Sequence, residues 1–366
     1  MKMKKIVTLI AVIVCANVFA CTSWMIFSDL TENGTNILHK NRDANPRGIN
    51  AYLSDASSPR KWIASGDKGG IRMGMNVSGL AVVANNGEDY TGKKEIKLPK
   101  FAPTIQECLE TFDTAEQCVE YLLNIIKNKL YCHRENRGMI YFFCDRNEGY
   151  ICEITPYFCS VQRYTNGYAV RANIWQNPGM YQLSRSNIKW YLNSSARAYI
   201  AISELNKAID RHSKITLTDI FALTRHYNMP ETSPQKRSVC FRATNSTASF
   251  EIDRRYPDVL STMYTTIGHP RHTVYVPVPV CVEKLHPAMT DLRWSAAAWK
   301  RFDELKLEAP IPAEWTKFEA DSMVKYNKAK DEARKLLDAG KRAEAVKLMN
   351  STAEKIWNDA EKLLNI

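Results

Sequence analysis

The first 21 residues constrain this chain more than any other segment. Three lysines among the first five residues precede a mostly apolar run over residues 6–16. Val18 and Ala20 then supply the small residues of a cleavage site, which completes the pattern of a secretory signal peptide. The apolar run is well short of the ~20 residues that a membrane-spanning helix needs. We therefore expect cleavage after Ala20, export to the periplasm or the medium without stable membrane insertion, and a mature chain that begins at Cys21.

A cysteine at the N-terminus carries a thiol and a free α-amino group on one residue. The pKa of an α-amino group lies near ~8, so part of it is an uncharged base at neutral pH. Nucleophile and proton acceptor are then held close together, and Cys21 could act without a separate histidine. The alternative is that residues 18–21 form a lipobox, although Phe19 is bulky for that motif. Lipid on the thiol would block the chemistry and leave a lipid-anchored, non-catalytic binding protein.

The charge and the histidines do not point to a nucleic acid or a metal. The formal charge of +11 falls to +8 without the three leader lysines. No basic run is interleaved with aromatic residues, as a nucleic-acid surface requires. Pro270 interrupts the spacing between His269 and His272, and no carboxylate lies close to them in the sequence. We expect no metal, no cofactor and no nucleic-acid partner.

The ten cysteines divide into three groups. Cys15 belongs to the leader, and Cys21 begins the mature chain. The other eight lie between Cys108 and Cys281. Those at 144, 152 and 159 lie in strand-like segments without metal-ligand spacing, so we interpret them as core thiols or disulfides. Export would permit pairing, but the sequence leaves the pairing open.

The pattern of the remaining chain indicates an α+β fold. Runs of β-formers between turn residues predict strands near residues 24–28, 36–40, 70–77, 79–84, 138–144, 149–155, 158–163, 168–172, 238–244, 248–252, 262–267 and 273–278. Helical periodicity predicts helices over residues 104–112, 114–127, 187–209 and 218–226. Strands and helices follow one another in blocks, which favours a layered α+β fold over strict βαβ alternation. Residues 47–69 and 90–101 are interpreted as loops that govern substrate choice.

Two motifs near the start resemble a known enzyme superfamily. Residues 21–24 read Cys-Thr-Ser-Trp at the start of a strand, and residues 40–43 read Lys-Asn-Arg-Asp on the next strand. This arrangement resembles the N-terminal nucleophile (Ntn) hydrolases that act on linear amide C–N bonds. They include choloylglycine hydrolase, penicillin V acylase, the isopenicillin N acyltransferase group and cysteine dipeptidases. Asp43 matches their Arg-Asn-x-Asp element, whereas the cationic position is left open between Lys40 and Arg42.

Three later motifs follow in the order found in these relatives. Residues 75–81 (MNVSGLA), followed by two asparagines, resemble the MNxxGL…N segment and point to Asn86 as the oxyanion-hole residue. Residues 170–173 (VRAN) resemble the strand end that carries a second functional asparagine, here Asn173. Residues 194–197 (SSAR) resemble the stretch that carries a late arginine, here Arg197. The resemblance extends from residue 21 to about residue 300.

The resemblance implies a four-layer αββα sandwich and a thioester mechanism. The Cys21 thiolate would attack an amide carbonyl, with its own amino group moving the proton. Asp43 would bind that amino group, and the Asn86 side chain would face the oxyanion. Arg197, together with either Lys40 or Arg42, would stabilise the Cys21 thiolate and position the Asp43 carboxylate. The substrate would be a small acyl amide or peptide, and an amine acting in place of water would make the enzyme an acyltransferase.

The C-terminal region differs in composition from the rest. Between residues 314 and 366 there is no proline or cysteine, and Gly340 is the single glycine. Apolar residues at helical spacing predict two helices separated by Gly340, packed on the main body. A partner-binding or dimerising hairpin is the alternative, and a homo-oligomer is left open. We therefore predict a signal peptide over 1–20, a catalytic domain over 21–305 and a helical extension over 306–366.

Overall fold

The computed structural model describes residues 21–45, 47–90, 104–128, 138–227 and 238–366. The strands in these ranges are β1 (Thr22–Ile26), β2 (Asn36–Asp43), β3 (Asn50–Leu53), β4 (Trp62–Asp67), β5 (Gly70–Asn76), β6 (Ala81–Asn86), β7 (Met139–Cys144), β8 (Gly149–Ile154), β9 (Cys159–Tyr164), β10 (Tyr168–Arg171), β11 (Thr244–Ile252), β12 (Thr262–Ile267) and β13 (Val276–Pro279). The helices are α1 (Ile105–Thr111), α2 (Ala115–Lys127), α3 (Ile188–His212), α4 (Leu217–Thr224), α5 (Pro257–Leu260), α6 (Pro287–Thr290), α7 (Arg293–Leu305), α8 (Ala313–Asp338) and α9 (Arg342–Leu364).

The strands form two antiparallel sheets. Among the described residues, the first has six strands in the order β10-β1-β2-β11-β12-β13, and the second has seven strands, β3 to β9, in chain order. In the first sheet, Ser23 of β1 lies opposite Lys40 of β2 and opposite Arg171 of β10. This register brings the start of β1, the end of β2 and the end of β10 together at one end of the strands.

Adjacent residues of β1 show that the first sheet is covered on both faces. The Ser23 hydroxyl donates to Asn85 of β6, in the second sheet, at 2.9 Å. The neighbouring Thr22 hydroxyl accepts from Arg197 of α3 at 2.7 Å. Because successive side chains of a strand point to opposite faces, the second sheet lies on one side of the first and α3 on the other.

The second sheet is covered by helices on its outer face. Ala64, Val82 and Phe143 point away from the first sheet and pack in one apolar cluster with Leu109 of α1 and Leu122 of α2. The alternate residues of the same strands belong to the large core that both sheets share. The layers are therefore helix, sheet, sheet and helix, which confirms the predicted α+β sandwich.

The helices before the middle strands begin where the sequence places them. The predicted helices over 104–112 and 114–127 are observed as α1 and α2. Each is preceded by a threonine in a capping box, Thr104 with Glu107 and Thr114 with Gln117. In this motif the threonine side chain and the third helical residue satisfy each other's backbone N–H groups, so the start is encoded locally.

Two local predictions are wrong. Residues 47–69 are not a loop, because β3 and β4 lie within them. The register of β4 shifts at Gly66, where an added Cβ would lie 2.4 Å from the Gly70 carbonyl oxygen. Residues 238–243 are not a strand, and β11 begins only at Thr244. The helix α7 has no counterpart among the predicted elements, and most of the predicted loop over 90–101 lies outside the described residues.

The C-terminal helices pack on the main body, as the hairpin interpretation predicts. Gly340 separates α8 from α9 and has φ of +76°, a left-handed conformation that glycine adopts readily. Trp357 of α9 donates its indole N–H to the Pro277 carbonyl of β13 at 2.7 Å. Glu319 of α8 forms a buried ion pair with Arg225 at 2.5 Å. The domain boundary at residue 305 stays a prediction.

The described cysteines are free thiols, and they are Cys21, Cys108, Cys118, Cys144, Cys152, Cys159, Cys240 and Cys281. Cys132 lies outside the described residues. Within those residues, no helix has both the length and the apolar character needed to cross a membrane.

Candidate active site

Cys21 directly precedes β1 and is buried. Its backbone nitrogen donates to the Asn173 side-chain oxygen at 2.8 Å. Its carbonyl oxygen accepts from the Arg197 guanidinium at 2.6 Å. Both backbone groups of the residue are therefore fixed by side chains. In a chain cut after Ala20, the fixed nitrogen is the α-amino group.

The position of Asn173 follows from strand pairing. Arg171 at the end of β10 lies opposite Ser23, so continuing the antiparallel register by two residues brings Asn173 opposite Cys21. The Asn173 amide nitrogen donates to the Asn86 carbonyl oxygen at 2.8 Å. Asn173 thus joins the start of β1 to the end of β6 in the other sheet.

Arg197 projects from α3 and is only 1% exposed. Besides the Cys21 carbonyl, its guanidinium donates to Asn173 Oδ1 at 2.8 Å and to Thr22 Oγ1 at 2.7 Å. Asn193, one helical turn earlier, accepts from Arg197 Nε at 2.9 Å. Residues three and four apart share a helix face. The helix α3 therefore supplies both the arginine and the asparagine that orients it toward the start of β1.

Asp43 ends β2 and is completely buried. Its Oδ1 accepts from the Thr244 hydroxyl at 2.5 Å. Its Oδ2 has no hydrogen-bond partner among the residues that the structure describes. Burial raises the pKa of Asp43 to about 8, and attraction to Arg197 opposes that rise. The carboxyl is therefore coupled electrostatically to Arg197, the residue that holds the Cys21 carbonyl oxygen.

The two candidate cations have different surroundings. Lys40 and Arg42 alternate along β2 and point to the second sheet. Arg42 forms an ion pair with Asp67 of β4, and burial lowers the pKa of Arg42 while Asp67 raises it. Lys40 donates to the Ala84 carbonyl of β6, and no carboxylate pairs with it in the described ranges.

Lys40 interacts electrostatically with the cysteine. Burial lowers the pKa of Lys40 to about 8, and attraction to the Cys21 thiolate opposes that fall. Cys21 is the largest charged influence on Lys40, whereas Asp67 is the largest on Arg42. Attraction to Cys21 also raises the pKa of Arg42, second to Asp67, so both cations interact with the thiol and only Arg42 is paired with a carboxylate in the described ranges.

Asn86 enters the cluster through its backbone carbonyl, which accepts from Asn173. Its half-buried side chain is the last of β6. The neighbouring Asn85 was missed by the sequence motif and is fully buried, with its Oδ1 accepting from Ser23 and its Nδ2 donating to the Ala172 carbonyl at 3.1 Å. Asn85 is saturated with partners, and a role of the Asn86 side chain at an oxyanion stays a prediction.

Sequence reasoning also missed residues that support the cluster. Thr22, Asn193 and Thr244 contact Arg197 or Asp43 directly. The four-residue spacing of Asn193 and Arg197 in a predicted helix could have indicated that their side chains lie on one face and interact. Thr244 carried no signal, since its contact depends on the pairing of β2 with β11.

The histidine pair rejected as a zinc site packs in an aromatic cluster. The rings of His269 and His272 are 5.2 Å apart and contact Phe302. His269 also meets the edge of Trp299. In the described part of the chain, no group of three His, Cys, Asp or Glu side chains could hold a metal ion.

Comparison with known proteins finds distant structural similarity. No family model and no curated protein matches the sequence. A mutant of the conjugated bile acid hydrolase from Clostridium perfringens is 13% identical, with a TM-score of 0.45 over 71% of this chain and 92% of that one. Penicillin V acylase from Agrobacterium tumefaciens is 15% identical, with a TM-score of 0.43 over 71% and 86%. A Caenorhabditis elegans ortholog of N-acylethanolamine-hydrolyzing acid amidase is 13% identical, with a TM-score of 0.41 over 65% and 94%.

Proposed function

We propose that the mature protein is an exported N-terminal cysteine hydrolase that cleaves linear amide bonds of small acyl amides or peptides. The observation that carries the proposal is the double anchoring of Cys21. Asn173 holds its nitrogen and Arg197 holds its carbonyl oxygen, each within 2.8 Å. An N-terminal cysteine without a catalytic role would not require a buried arginine and a buried asparagine that hydrogen-bond to its backbone.

The orientation of the Asn173 carboxamide supports the role of the amine. Arginine only donates hydrogen bonds, so the Asn173 atom that faces Arg197 is the oxygen. That oxygen accepts an N–H of Cys21, which leaves the lone pair of a neutral α-amino group free to accept the thiol proton. Asn173 is therefore a positioning residue for the proton acceptor.

Lys40 is the better of the two cationic candidates for stabilising the thiolate. Cys21 is the largest charged influence on Lys40, which has no carboxylate partner among the described residues, whereas Arg42 is paired with Asp67 and feels Cys21 only second to it. We assign the supporting role to Lys40 and a structural role to Arg42. Asp43 would act on the α-amino group through Arg197, whose attraction opposes the rise in the pKa of Asp43.

The reaction follows from these roles. The Cys21 sulfur bonds to the amide carbon, and its proton passes to the α-amino group. The carbon–nitrogen bond then breaks, and the departing amine takes the proton, which leaves an acyl thioester. Water attacks the thioester carbon, the carbon–sulfur bond breaks, and the carboxylic acid and the free thiol result. An amine in place of water would instead give acyl transfer.

The test begins with the N-terminus of the exported protein. Mass spectrometry should find a chain that is 20 residues shorter, with an unmodified Cys21. Turnover is then measured on dipeptides, penicillin V, bile-salt conjugates and N-acyl amino acids. Cys21→Ala should abolish turnover, while Cys159→Ala, which alters a partly buried thiol elsewhere, should not. A diacylglyceryl-modified Cys21, or full activity in Cys21→Ala, would refute the proposal.

A further inference from the structure

A cleft of about 490 Å³ lies beside the candidate site. Its lining includes residues within two positions of three site residues. Glu88 comes two residues after Asn86, Ile174 directly follows Asn173, and Ser195 lies two residues before Arg197. None of these lining residues is used by the mechanism above.

The walls of the cleft are aromatic. Trp175, Tyr181, Tyr191 and Tyr199 line it together with aliphatic side chains. The three tyrosines are 62%, 51% and 72% exposed, so packing within the protein does not account for them. Large aromatic side chains grouped around one concave surface are typical of ligand sites.

The cleft also contains a buried acid. Glu88 is 2% exposed and accepts from the Trp175 backbone N–H at 3.0 Å and from the Ser184 hydroxyl at 2.9 Å. No lysine or arginine in the described ranges forms an ion pair with Glu88. Burial raises the pKa of Glu88, while the hydrogen bonds from Trp175 and Ser184 oppose that rise by favouring the carboxylate. Buried carboxylates are usually paired with a cation, and a bound cation would stabilise the charged form of this one.

We infer that this cleft binds an organic cation, namely an alkylammonium group at one end of the amide substrate. Tyrosine and tryptophan rings attract cations through their electron-rich faces. Glu88 adds opposite charge at the same place, and Ser195 Oγ, which has no hydrogen-bond partner among the described residues, could accept an ammonium N–H. As a substrate subsite the inference rests on the proposed function; as a cation site it does not.

The test separates binding from chemistry by using the mature full-length chain with Cys21→Ala. Isothermal titration compares choline with 3,3-dimethyl-1-butanol, a neutral molecule of the same shape. Choline should bind about tenfold more tightly than the neutral molecule, in keeping with cation–π and charge attraction. Glu88→Gln should remove most of that preference. Equal binding of the two probes, or an unchanged preference in Glu88→Gln, would overturn the inference.

A second pair of variants tests the site independently, in case Glu88→Gln does not fold. Tyr199→Leu, on an exposed residue of the cleft, should weaken choline binding several-fold. Tyr157→Leu, on a tyrosine 57% exposed and outside the cleft, should leave it unchanged. Equal effects of the two substitutions would count against the site. If choline does not bind although the wild type hydrolyses amides, the inference alone fails; if choline binds but no amide is hydrolysed, the cation site stands and the proposed function fails.

Discussion

Replacing Arg197 with methionine removes the cation that joins α3 to the start of β1. The guanidinium donates to Cys21 O, Thr22 Oγ1, Asn173 Oδ1 and Asn193 Oδ1 at distances between 2.6 and 2.9 Å. Methionine keeps an unbranched apolar stem and a high helix propensity, so the helix itself should persist. The substitution therefore reports mainly on the buried polar cluster.

The expected loss of stability is large. Removing one partner from a buried, hydrogen-bonded charge cluster costs ~3–5 kcal/mol, because the remaining polar groups lose both water and partner. At ~2–4 °C per kcal/mol for larger domains, the Tm should fall by about 6–20 °C. The attraction of Arg197 also opposes the rise in the pKa of Asp43, so the pKa of that carboxyl should rise further in the variant.

Thermal unfolding followed by near-UV circular dichroism measures the effect. Arg211→Met on the same helix is the matched control, since Arg211 is 54% exposed and pairs with Asp219 at 2.9 Å. An exposed pair of this kind contributes less than ~1 kcal/mol. If Arg197→Met were no more destabilising than Arg211→Met, the cluster would not anchor the start of β1 as described.

Three further predictions concern the neighbours of Cys21. Lys40→Met should slow iodoacetamide alkylation of Cys21 at pH 7 by about tenfold, through loss of an opposite charge. In the wild type, the enhancement of alkylation by Lys40 should disappear as pH rises through about 8, the pKa of Lys40. Lys40→Arg should retain the enhancement above that pH, and identical pH profiles of the two proteins would refute a role for the Lys40 charge. Burial raises the pKa of Asp43 to about 8, so the folded chain binds more protons than the unfolded one between about 4 and 8, and Asp43 costs stability as pH rises. In urea unfolding, Asp43→Asn should therefore gain stability relative to the wild type on going from pH 5 to pH 8, and the opposite trend would contradict the buried, unpaired carboxyl. Asn85→Ala should cost ~1–3 kcal/mol in urea unfolding, because it leaves buried partners unsatisfied; a loss below ~0.5 kcal/mol, typical of surface sites, would argue against that network.

Features encoded over a few residues could be predicted from the sequence. The capping boxes at Thr104 and Thr114 place the starts of α1 and α2. The change of composition after residue 314 and Gly340 place the two C-terminal helices. The strands β3 and β4 were missed because β4 contains a glycine at a register shift, and because pairing of β4 with β3 and β5 is not visible in a local pattern.

The candidate site divides in the same way. The motifs located Cys21, Asn173 and Arg197, and the structure brings these three into direct contact. The motif spacing pointed to Asn86, whose role at an oxyanion stays a prediction, while the neighbouring Asn85 side chain contacts the first sheet through Ser23. A shift of one residue reverses the face of a strand side chain, so spacing alone could not separate the two.

The sequence by itself predicted Cys21 as the reactive group, because the cleavage pattern and the cysteine after it are contiguous in the chain. It also determined the layered α+β class, since the order of strand and helix patterns is local. Only the tertiary structure decided that Arg42 pairs with Asp67 of β4 and that Lys40 donates to the Ala84 carbonyl of β6. These outcomes depend on which strand of the second sheet lies opposite β2, and side chains on different sheets meet only when the two sheets pack together.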